Sequence, residues 1–361
     1  MSPVLGILGA GQLGRMLALE AHALGVPVRL LGEPDGSGAQ VAATAEGSLD
    51  DPDAIERFAR GCDVLTVETE NVRVDALVDL PCPVWPPPAA IEASQDRVNE
   101  KRLFDRLGIP TAPWVPVASD EELAGAVEAL GFPFVLKKRR SGFDGRGQVV
   151  VKARNEAVPA FRLLGEVPCI AEGFVRFDAE LSVLVACPVR GARRVWPVAR
   201  NVHYVGQLDY CTVLPNDPLQ AEAAALGNRV ADALGYVGVL TVETFVRDGA
   251  LIANEIAPRV HNSGHWSIEG AVTSQFANHV RAVLGLPIGP TDPVACAATV
   301  NLLGSLPARG DVLAIPGAFF HGYGKSDRPG RKVGHATVLA PSVPRLHERL
   351  DRLRQVVGPR G

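Results

Sequence analysis

Two glutamates, Glu243 and Glu255, sit on the apolar runs that flank Arg247-Asp248-Gly249 in "VLTVETFVRDGALIANEIAPR". If those three residues form a hairpin loop with Gly249 in the left-handed conformation, Val246 pairs with Ala250 and Glu243 with Ala253. Glu255 then shares the face of Glu243. Two like charges on that diagonal repel unless a cation joins them, and Mg²⁺ held by carboxylates together with phosphate oxygens is the usual solution. A two-residue loop would instead turn the acids to opposite faces.

Other stretches supply matching chemistry. "KKRRSGFDGRGQVVV" places Lys137, Lys138, Arg139 and Arg140 before a loop containing Gly142, Gly145 and Gly147. Glycines permit close backbone approach, and the cations supply charge for a polyphosphate; the alternative is a plain hairpin with a solvated basic face. No G-x-x-x-x-G-K-[ST] loop occurs, because "GYGKS" has Phe319 where that pattern needs its first glycine. "NEIAPRVHNSGHW" gathers Arg259, His261, Asn262, Ser263 and His265 directly after the second acidic strand, and loops at strand ends carry function disproportionately. One histidine there would commonly be a hydrogen-bonded core residue, whereas two beside a metal site argue for function. "KSDRPGRKVGH" offers Lys325, Arg331 and Lys332, which in isolation read as a solvated basic turn. Near the start, Gly9, Gly11 and Gly14 have the G-x-G-x-x-G spacing of a dinucleotide-binding turn, and Glu33 lies about where a ribose-binding acid would follow.

These groups need an α/β scaffold to position them, and the periodicity supplies one. Residues 4–8 read as a buried strand, Gln12 to Leu24 as a helix stopped by Gly25, and Val26 to Leu31 as a second strand, which is a βαβ opening. "DVLTVETEN" (63–71) reads as a further parallel strand with its acidic end at the ligand edge. "LPCPVWPPPAA" (80–90) breaks all periodicity and marks a domain boundary. Beyond it a helix ends near Leu107, Ser119 and Glu122 form a capping box for a helix stopped by Gly131, and Leu219 to Leu234 are helical.

At 361 residues, 47% hydrophobic, the chain suits two or three domains. A formal charge of −4 without a lysine-rich run argues against a nucleic-acid partner. Six cysteines without C-x-x-C spacing suggest neither a zinc site nor a disulfide framework, so a reducing cytoplasm fits best. The apolar start lacks a basic lead, and the uncharged stretch 293–308 is too short to span a bilayer, so no targeting or membrane segment is expected.

In combination, "GAGQLGRM", "SQDRVNEKRLFD", "FDGRGQ", "NEIAPRVHNSGHW" and "RPGRKVGH", in this order over nearly the whole chain, resemble the N5-carboxyaminoimidazole ribonucleotide synthetases, purine-biosynthesis ligases of the ATP-grasp superfamily. The resemblance implies an ATP-grasp fold: a Rossmann-like pre-ATP-grasp domain (1–88), a lid domain (113–173) and a central domain (89–112 with 174–361). It further implies a homodimer. The activity would be ATP-driven carboxylation of 5-aminoimidazole ribonucleotide by bicarbonate, with Mg²⁺, and the glycine turn would serve the ribonucleotide pocket rather than NAD.

By the same resemblance, Arg97 and Lys137 contact the ATP phosphates, and Gly142, Phe143, Asp144, Gly145, Arg146, Gly147 and Gln148 form the lid loop over them. Glu172, Gly173, Phe174 and Val175 form the adenine hinge, Glu180 takes the ribose hydroxyls, and His203 is a further nucleotide contact. Glu243 and Glu255 hold the metal with Asn254 beside them. Gln12, Glu70, Asn71, Asp144, Arg259, His261, Lys325, Arg331 and Lys332 fall in the ribonucleotide motifs, with Arg259, Asp144 and His261 catalytic. Phe143 stands where most relatives have tyrosine, which removes a hydroxyl contact and retains ring packing. Other ATP-grasp ligases, an NAD-dependent oxidoreductase and a non-catalytic nucleotide-binding module are the alternatives. The oxidoreductase leaves the paired glutamates and the basic glycine loop without a role.

Overall fold

The computed structural model describes residues 2–142, 145 and 147–358. It is built on three sheets. The first is all parallel, in the order β3-β2-β1-β4-β5, from β1 (Leu5–Leu8), β2 (Val28–Gly32), β3 (Ala43–Glu46), β4 (Val64–Val67) and β5 (Val84–Trp85). Helices α1 (Gln12–Ala23) and α2 (Pro52–Ala59) belong to this layer. Asp51 accepts a hydrogen bond from the Asp53 N–H and Pro52 opens α2, a strong start signal. The proline-rich segment is not wholly irregular: Val84–Trp85 pairs with β4 as the sheet's edge, a place where prolines are tolerated.

Two helices then lead onward, α3 (Pro88–Gln95) and α4 (Arg97–Arg106), the latter capped by Asp96, which accepts from the Val98 N–H at 3.0 Å. The second sheet is antiparallel, order β6-β9-β7-β8, made of β6 (Trp114–Val117), β7 (Phe134–Lys138), β8 (Gln148–Val151) and β9 (Cys169–Gly173). Helices α5 (Asp120–Leu130) and α6 (Arg154–Leu163) close its separate core around Phe134 and Phe161. The capping box is present: Ser119 Oγ accepts from the Glu122 N–H, and the Glu122 carboxylate accepts from the Ala118 N–H.

The third, nine-stranded sheet has the order β15-β14-β10-β12-β13-β16-β18-β17, with β11 paired to β10. Its strands are β10 (Ala179–Cys187), β11 (Arg194–Val195), β12 (Ala199–Tyr204), β13 (Gln207–Val213), β14 (Gly238–Arg247), β15 (Ala250–Ala257), β16 (Cys296–Leu303), β17 (Ala318–Gly322) and β18 (Lys332–Ala340). Helices α7 (Gln220–Ala233), α8 (Ser267–Gly270), α9 (Gln275–Val283), α10 (Arg309–Leu313) and α11 (Val343–Val357) complete the chain.

One buried cluster runs from Leu5, Ile7 and Met16 to Trp196, Trp266 and Phe276, so the first and third layers share a core. Thr66 Oγ1 lies 2.8 Å from His279 Nε2 inside that junction. A continuous apolar contact of this kind fixes the two layers as one frame, and a cleft between them inherits that rigidity.

The β14–β15 hairpin corrects the expected pairing. Its loop is the two-residue turn Asp248-Gly249, φ 52° and 77°, with Arg247 opposite Ala250 and Val246 opposite Leu251. Continued regularly, that register would turn Glu255 away from Glu243. A β-bulge at Asn254 restores the match: Thr244 faces Ala253, and Glu243 then faces Glu255 directly. The two acids therefore share a face, through an inserted residue rather than a three-residue loop.

Candidate active site

Two clefts meet between the three layers. The first, about 380 Å³, is lined by Gln12, Glu70, Asn71, Gly142, Arg259 and Tyr323 among others. The second, about 310 Å³, lies under the second sheet and is lined by Lys137, Gln148, Gly173, Val175, Glu180, His203 and Glu243, with Gly145 and Phe174. Arg97, Glu255, His261, Asn262 and Lys332 line both. A group bound in one cleft is therefore adjacent to a group bound in the other.

Arg97 stands at the junction because Asp96 caps α4 and also anchors Arg139, whose guanidinium donates to both carboxylate oxygens at 2.9 and 2.8 Å. That pair ties the end of β7 to α4 and so locates Lys137. Arg97 donates to Glu255 Oε2 at 3.0 Å and to the Gly142 carbonyl at 3.1 Å. Lys137 and Lys101 converge on Glu172 Oε2 at 3.1 and 3.4 Å. Burial opposes charge on Glu172, yet Lys101, Lys137 and Arg97 pull its carboxyl down to about 2. Lys137 and Arg97 thus face the second cleft, with Lys101 buried behind them sharing the Glu172 counter-charge, an arrangement suited to polyphosphate.

The outer part of that cleft is apolar. Phe177 and Phe245 stack at 4.8 Å between ring centroids, with Phe174, Val135, Val150 and Leu208 alongside, a slot of the kind that takes a planar base. Gly173 and Phe174 spend their N–H groups on the Pro113 and Pro133 carbonyls, at 2.8 and 3.4 Å. Further in, His203 Nδ1 is hydrogen-bonded to Glu180 Oε2. Burial lowers the His203 pKa, but Glu180 overrides it and the net shift is upward.

Glu243 and Glu255 form the inner wall. Burial pushes the Glu243 carboxyl up to about 7, with Glu255 reinforcing the shift. Burial acts on Glu255 in the same sense, but Arg97 outweighs it and holds that carboxyl below the usual range. Asn254 Oδ1, beside them, is buried without a hydrogen-bond partner. Two facing carboxylates and an orphaned amide oxygen are hard donors suited to Mg²⁺. No group of three or more His, Cys, Asp or Glu able to hold a metal occurs among the described residues, so such an ion would need phosphate oxygens to complete its shell.

In the first cleft, Arg259 donates to both Glu70 oxygens, at 2.6 and 3.3 Å. Burial opposes the Glu70 charge, and Arg259 more than compensates, so the carboxyl stays ionised. His261 Nδ1 lies 2.8 Å from Ser263 Oγ and its Nε2 3.7 Å from Glu243 Oε1. Burial, with Arg259 adding to it, drives the His261 pKa well down, so the ring is neutral near pH 7.

The glycine turn answers the dinucleotide alternative. The Glu68 carboxylate accepts hydrogen bonds from the Gly11 and Gly14 N–H groups, and a Cβ on Gly9 would lie 2.2 Å from Glu68 Cγ. The N-terminus of α1 is where such folds receive a pyrophosphate. Here an internal anion fills it, so Glu33, correctly placed just after β2, has no dinucleotide to serve.

Gly147 lines neither cleft; its carbonyl accepts from the Lys138 N–H at 2.8 Å. Lys325 and Arg331 also line neither cleft: Lys325 donates to Oε1 of Gln12, a wall residue of the first cleft, while Arg331 donates to Ser326 Oγ at 2.7 Å. Phe143, Asp144 and Arg146 lie outside the described residues. Sequence reasoning missed Glu68, Glu100, Lys101 and Tyr323, and it placed Asn262 in the polar cluster without a role. The acidic end of 63–71 and the "NEK" of α4 were the available signals, and neither shows periodicity that separates a site residue from a solvated one.

Three family models match the chain: a ribonucleotide synthetase preATP-grasp domain over residues 1–95, an ATP-grasp domain over 102–276 and a phosphoribosylaminoimidazole carboxylase C-terminal domain over 297–349. The chain is 41% identical over 356 residues to the N5-carboxyaminoimidazole ribonucleotide synthase of Pseudomonas aeruginosa, covering 98% of this chain and 99% of that protein. It is 44% identical to the protein of that name from Brucella melitensis, covering 93% and 96%. Among solved structures, the N5-carboxyaminoimidazole ribonucleotide synthetase of Thermus thermophilus superposes with a TM-score of 0.93 at 45% identity, covering 98% and 99%. An Aspergillus clavatus N5-carboxyaminoimidazole synthase in complex with ADP and 5-aminoimidazole ribonucleotide superposes at 0.91 with 32% identity, covering 99% and 98%.

Proposed function

The chain belongs to the N5-carboxyaminoimidazole ribonucleotide synthase family of ATP-grasp ligases, and we propose how its two clefts divide the ATP-dependent carboxylation of 5-aminoimidazole ribonucleotide. The carrying observation is that Arg97, Glu255, His261, Asn262 and Lys332 line both clefts, so the transferred phosphoryl group and the acceptor amine meet at one junction. The division into residues 1–88, 113–173 and the remaining central domain is part of this reading.

ATP lies under the second sheet. Its base enters the phenylalanine slot and meets hinge carbonyls and Val175, its ribose meets Glu180 and His203, and Lys137 and Arg97 take the phosphates. Glu243, Glu255 and Asn254 hold Mg²⁺, which would neutralise charge on the transferred phosphoryl group. Bicarbonate is the carboxyl donor. Its oxygen attacks the γ-phosphorus and ADP leaves, giving carboxyphosphate. The exocyclic amine then forms its N–C bond as phosphate departs, either directly or after CO₂ is released within the closed site, and the amine gives up one proton. Arg259, fixed by Glu70, supports the negative charge that develops on the carboxyl oxygens. Lys325 and Lys332 take the ribonucleotide phosphate, with Gln12 and Asn71 beside the ribose. The lid loop excludes water that would hydrolyse carboxyphosphate.

The six free cysteines support a cytoplasmic site of action. No helix among the described residues is long and apolar enough to cross a membrane. The reading includes a homodimer as the active species, and light scattering of the purified protein at assay concentration is to return twice the 38.2 kDa chain mass. Labelled bicarbonate is the decisive experiment: label must appear in the product with one ADP released per carboxylation. ADP release that ignores the ribonucleotide but responds to glycinamide ribonucleotide with formate would overturn the reading.

A further inference from the structure

We infer that Glu100 and Lys101 are positioning residues that hold the bulge of β15 and thereby set Glu255 against Glu243. The inference rests on the metal-binding reading of those two acids. It begins with an irregularity. In a regular hairpin closed by Asp248-Gly249, with Arg247 opposite Ala250, Glu243 would face Asn254 and Glu255 would point to the other side of the sheet. The observed register, Thr244 to Ala253 and then Glu243 to Glu255, exists only while Asn254 stays bulged. It also lets consecutive residues, Asn254 and Glu255, both line the second cleft, which an unbulged strand forbids.

Nothing within the hairpin explains why the bulge persists, since the regular register would keep the same turn. The explanation lies on the open edge. β15 is the outermost strand of its sheet; on its outward side the Ala253 N–H donates to the Pro110 carbonyl at 2.7 Å in an isolated bridge with Thr111, and beyond that point α4 runs along the edge. Lys101 Nζ donates to the Asn254 carbonyl at 2.7 Å, and the Ile256 N–H donates to Glu100 Oε1 at 2.5 Å. Those two groups belong to the peptide units on either side of Glu255, so both planes flanking its Cα are fixed. Arg97, one turn earlier on α4, grips the Glu255 side chain itself at 3.0 Å. Positions 97, 100 and 101 are i, i+3 and i+4, hence one face of the helix.

Burial gives the clamp its force. Glu100 is 2% and Lys101 1% exposed, and a slip to the regular register would take from each a backbone partner away from water, leaving Lys101 only the Glu172 carboxylate. Lys101 also reaches Glu172 at 3.4 Å, so it couples the metal strand to the base of the lid sheet. Glu100, which also lines the first cleft, makes no ion pair with the lid sheet among the described residues, so its replacement perturbs the held peptide without loosening that sheet.

The experiment measures Mn²⁺ binding to the full-length protein with ADP present, by the loss of free-ion electron paramagnetic resonance signal, together with amide exchange at Ile256. Glu100→Leu removes the acceptor, and Glu100→Gln retains a carbonyl oxygen at the same place. The expected result is Mn²⁺ affinity lowered on the order of tenfold or more in Glu100→Leu, with faster Ile256 exchange. Glu100→Gln should restore both metal affinity and protection. Lys101→Met should weaken Mn²⁺ similarly and raise KM for ATP in addition. Glu255→Gln is the reference: unchanged Mn²⁺ affinity there overturns the metal reading itself. If Glu255→Gln loses Mn²⁺ while Glu100→Leu and Lys101→Met keep it, the positioning role is refuted. Equal loss in Glu100→Gln and Glu100→Leu also refutes it, because charge rather than the held peptide would then be responsible.

Discussion

Lys325 offers a test that separates the charge of a side chain from its mere presence. Burial lowers its pKa to about 8, with Arg331 and Lys332 adding to the shift and Glu68 opposing it. The sign follows directly: the ammonium is intact below pH 8 and discharges as pH climbs through that value, well before an exposed lysine would. If the protonated form is what binds the ribonucleotide phosphate, KM for the ribonucleotide is flat to about pH 7.5 and then rises roughly tenfold per pH unit. The phosphate does not blur this limb, since its second ionisation, near pH ~6, is complete. At pH 7, removing the cation with Lys325→Met should raise that KM about ten- to a hundredfold, the equivalent of roughly 1.5–3 kcal/mol for a hydrogen bond to a charged group. The assay is a set of saturation curves for each substrate between pH 6.5 and 9.5. The Glu100 carboxyl is pushed by burial to about 8 and titrates in the same window, so Lys325→Arg decides the matter. A guanidinium stays charged throughout and should flatten the limb. A flat profile in the parent protein, or an undiminished limb in Lys325→Arg, would refute the assignment.

Three further outcomes follow from the same geometry. Arg331→Ala should change KM for the ribonucleotide less than about threefold, because Arg331 is bonded to Ser326 whereas Lys325 is bonded to Gln12 of the first cleft, and a tenfold rise would return it to the phosphate site. Glu255→Gln should abolish most turnover with an unshifted thermal midpoint and a much higher Mg²⁺ requirement; normal turnover at saturating Mg²⁺ contradicts the paired-acid reading. Glu68→Leu should lower the denaturation midpoint, since each of the Gly11 and Gly14 N–H groups then loses its partner at about 1–3 kcal/mol, and an unchanged midpoint shows that another acceptor takes them.

Much of the scaffold was legible because its signals are local. Gly25, Gly131 and Gly235 end helices in the left-handed conformation, at φ 69°, 65° and 53°, as their spacing predicts. The parallel β1–β2 pairing follows from two short apolar runs with α1 between them. The hairpin shows where locality stops. Asp-Gly is a favoured pair for a two-residue turn, so the loop length was readable, but the bulge depends on Lys101, 153 positions away. A contact at that separation leaves no trace in periodicity. The basic group at 325–332 divides for the same reason: three cations alike in sequence become a lysine bonded to Gln12, an arginine bonded to Ser326 and a lysine at the junction.

The glycine turn carries the sharper lesson about function. Its spacing reports only that backbone N–H groups at the start of α1 are open to close approach by an anion. It does not say whose anion. In this chain β4 ends at Val67, and the next residue swings its carboxylate into the turn, so the positive end of the helix is spent internally. Burial raises the pKa of Glu68, while the Gly14 and Gly11 N–H groups act to keep it charged. A second anion in the same cradle would meet like-charge repulsion at hydrogen-bond distance. The cations acting on Glu68 are Arg259 and Lys325, and Lys325 is itself bonded to Gln12 at the first residue of α1. On the proposed reading the substrate phosphate is therefore held by a lysine beside the glycine turn rather than by the turn's own N–H groups, and Arg259, held by Glu70, is left for the part of the ribonucleotide that reacts.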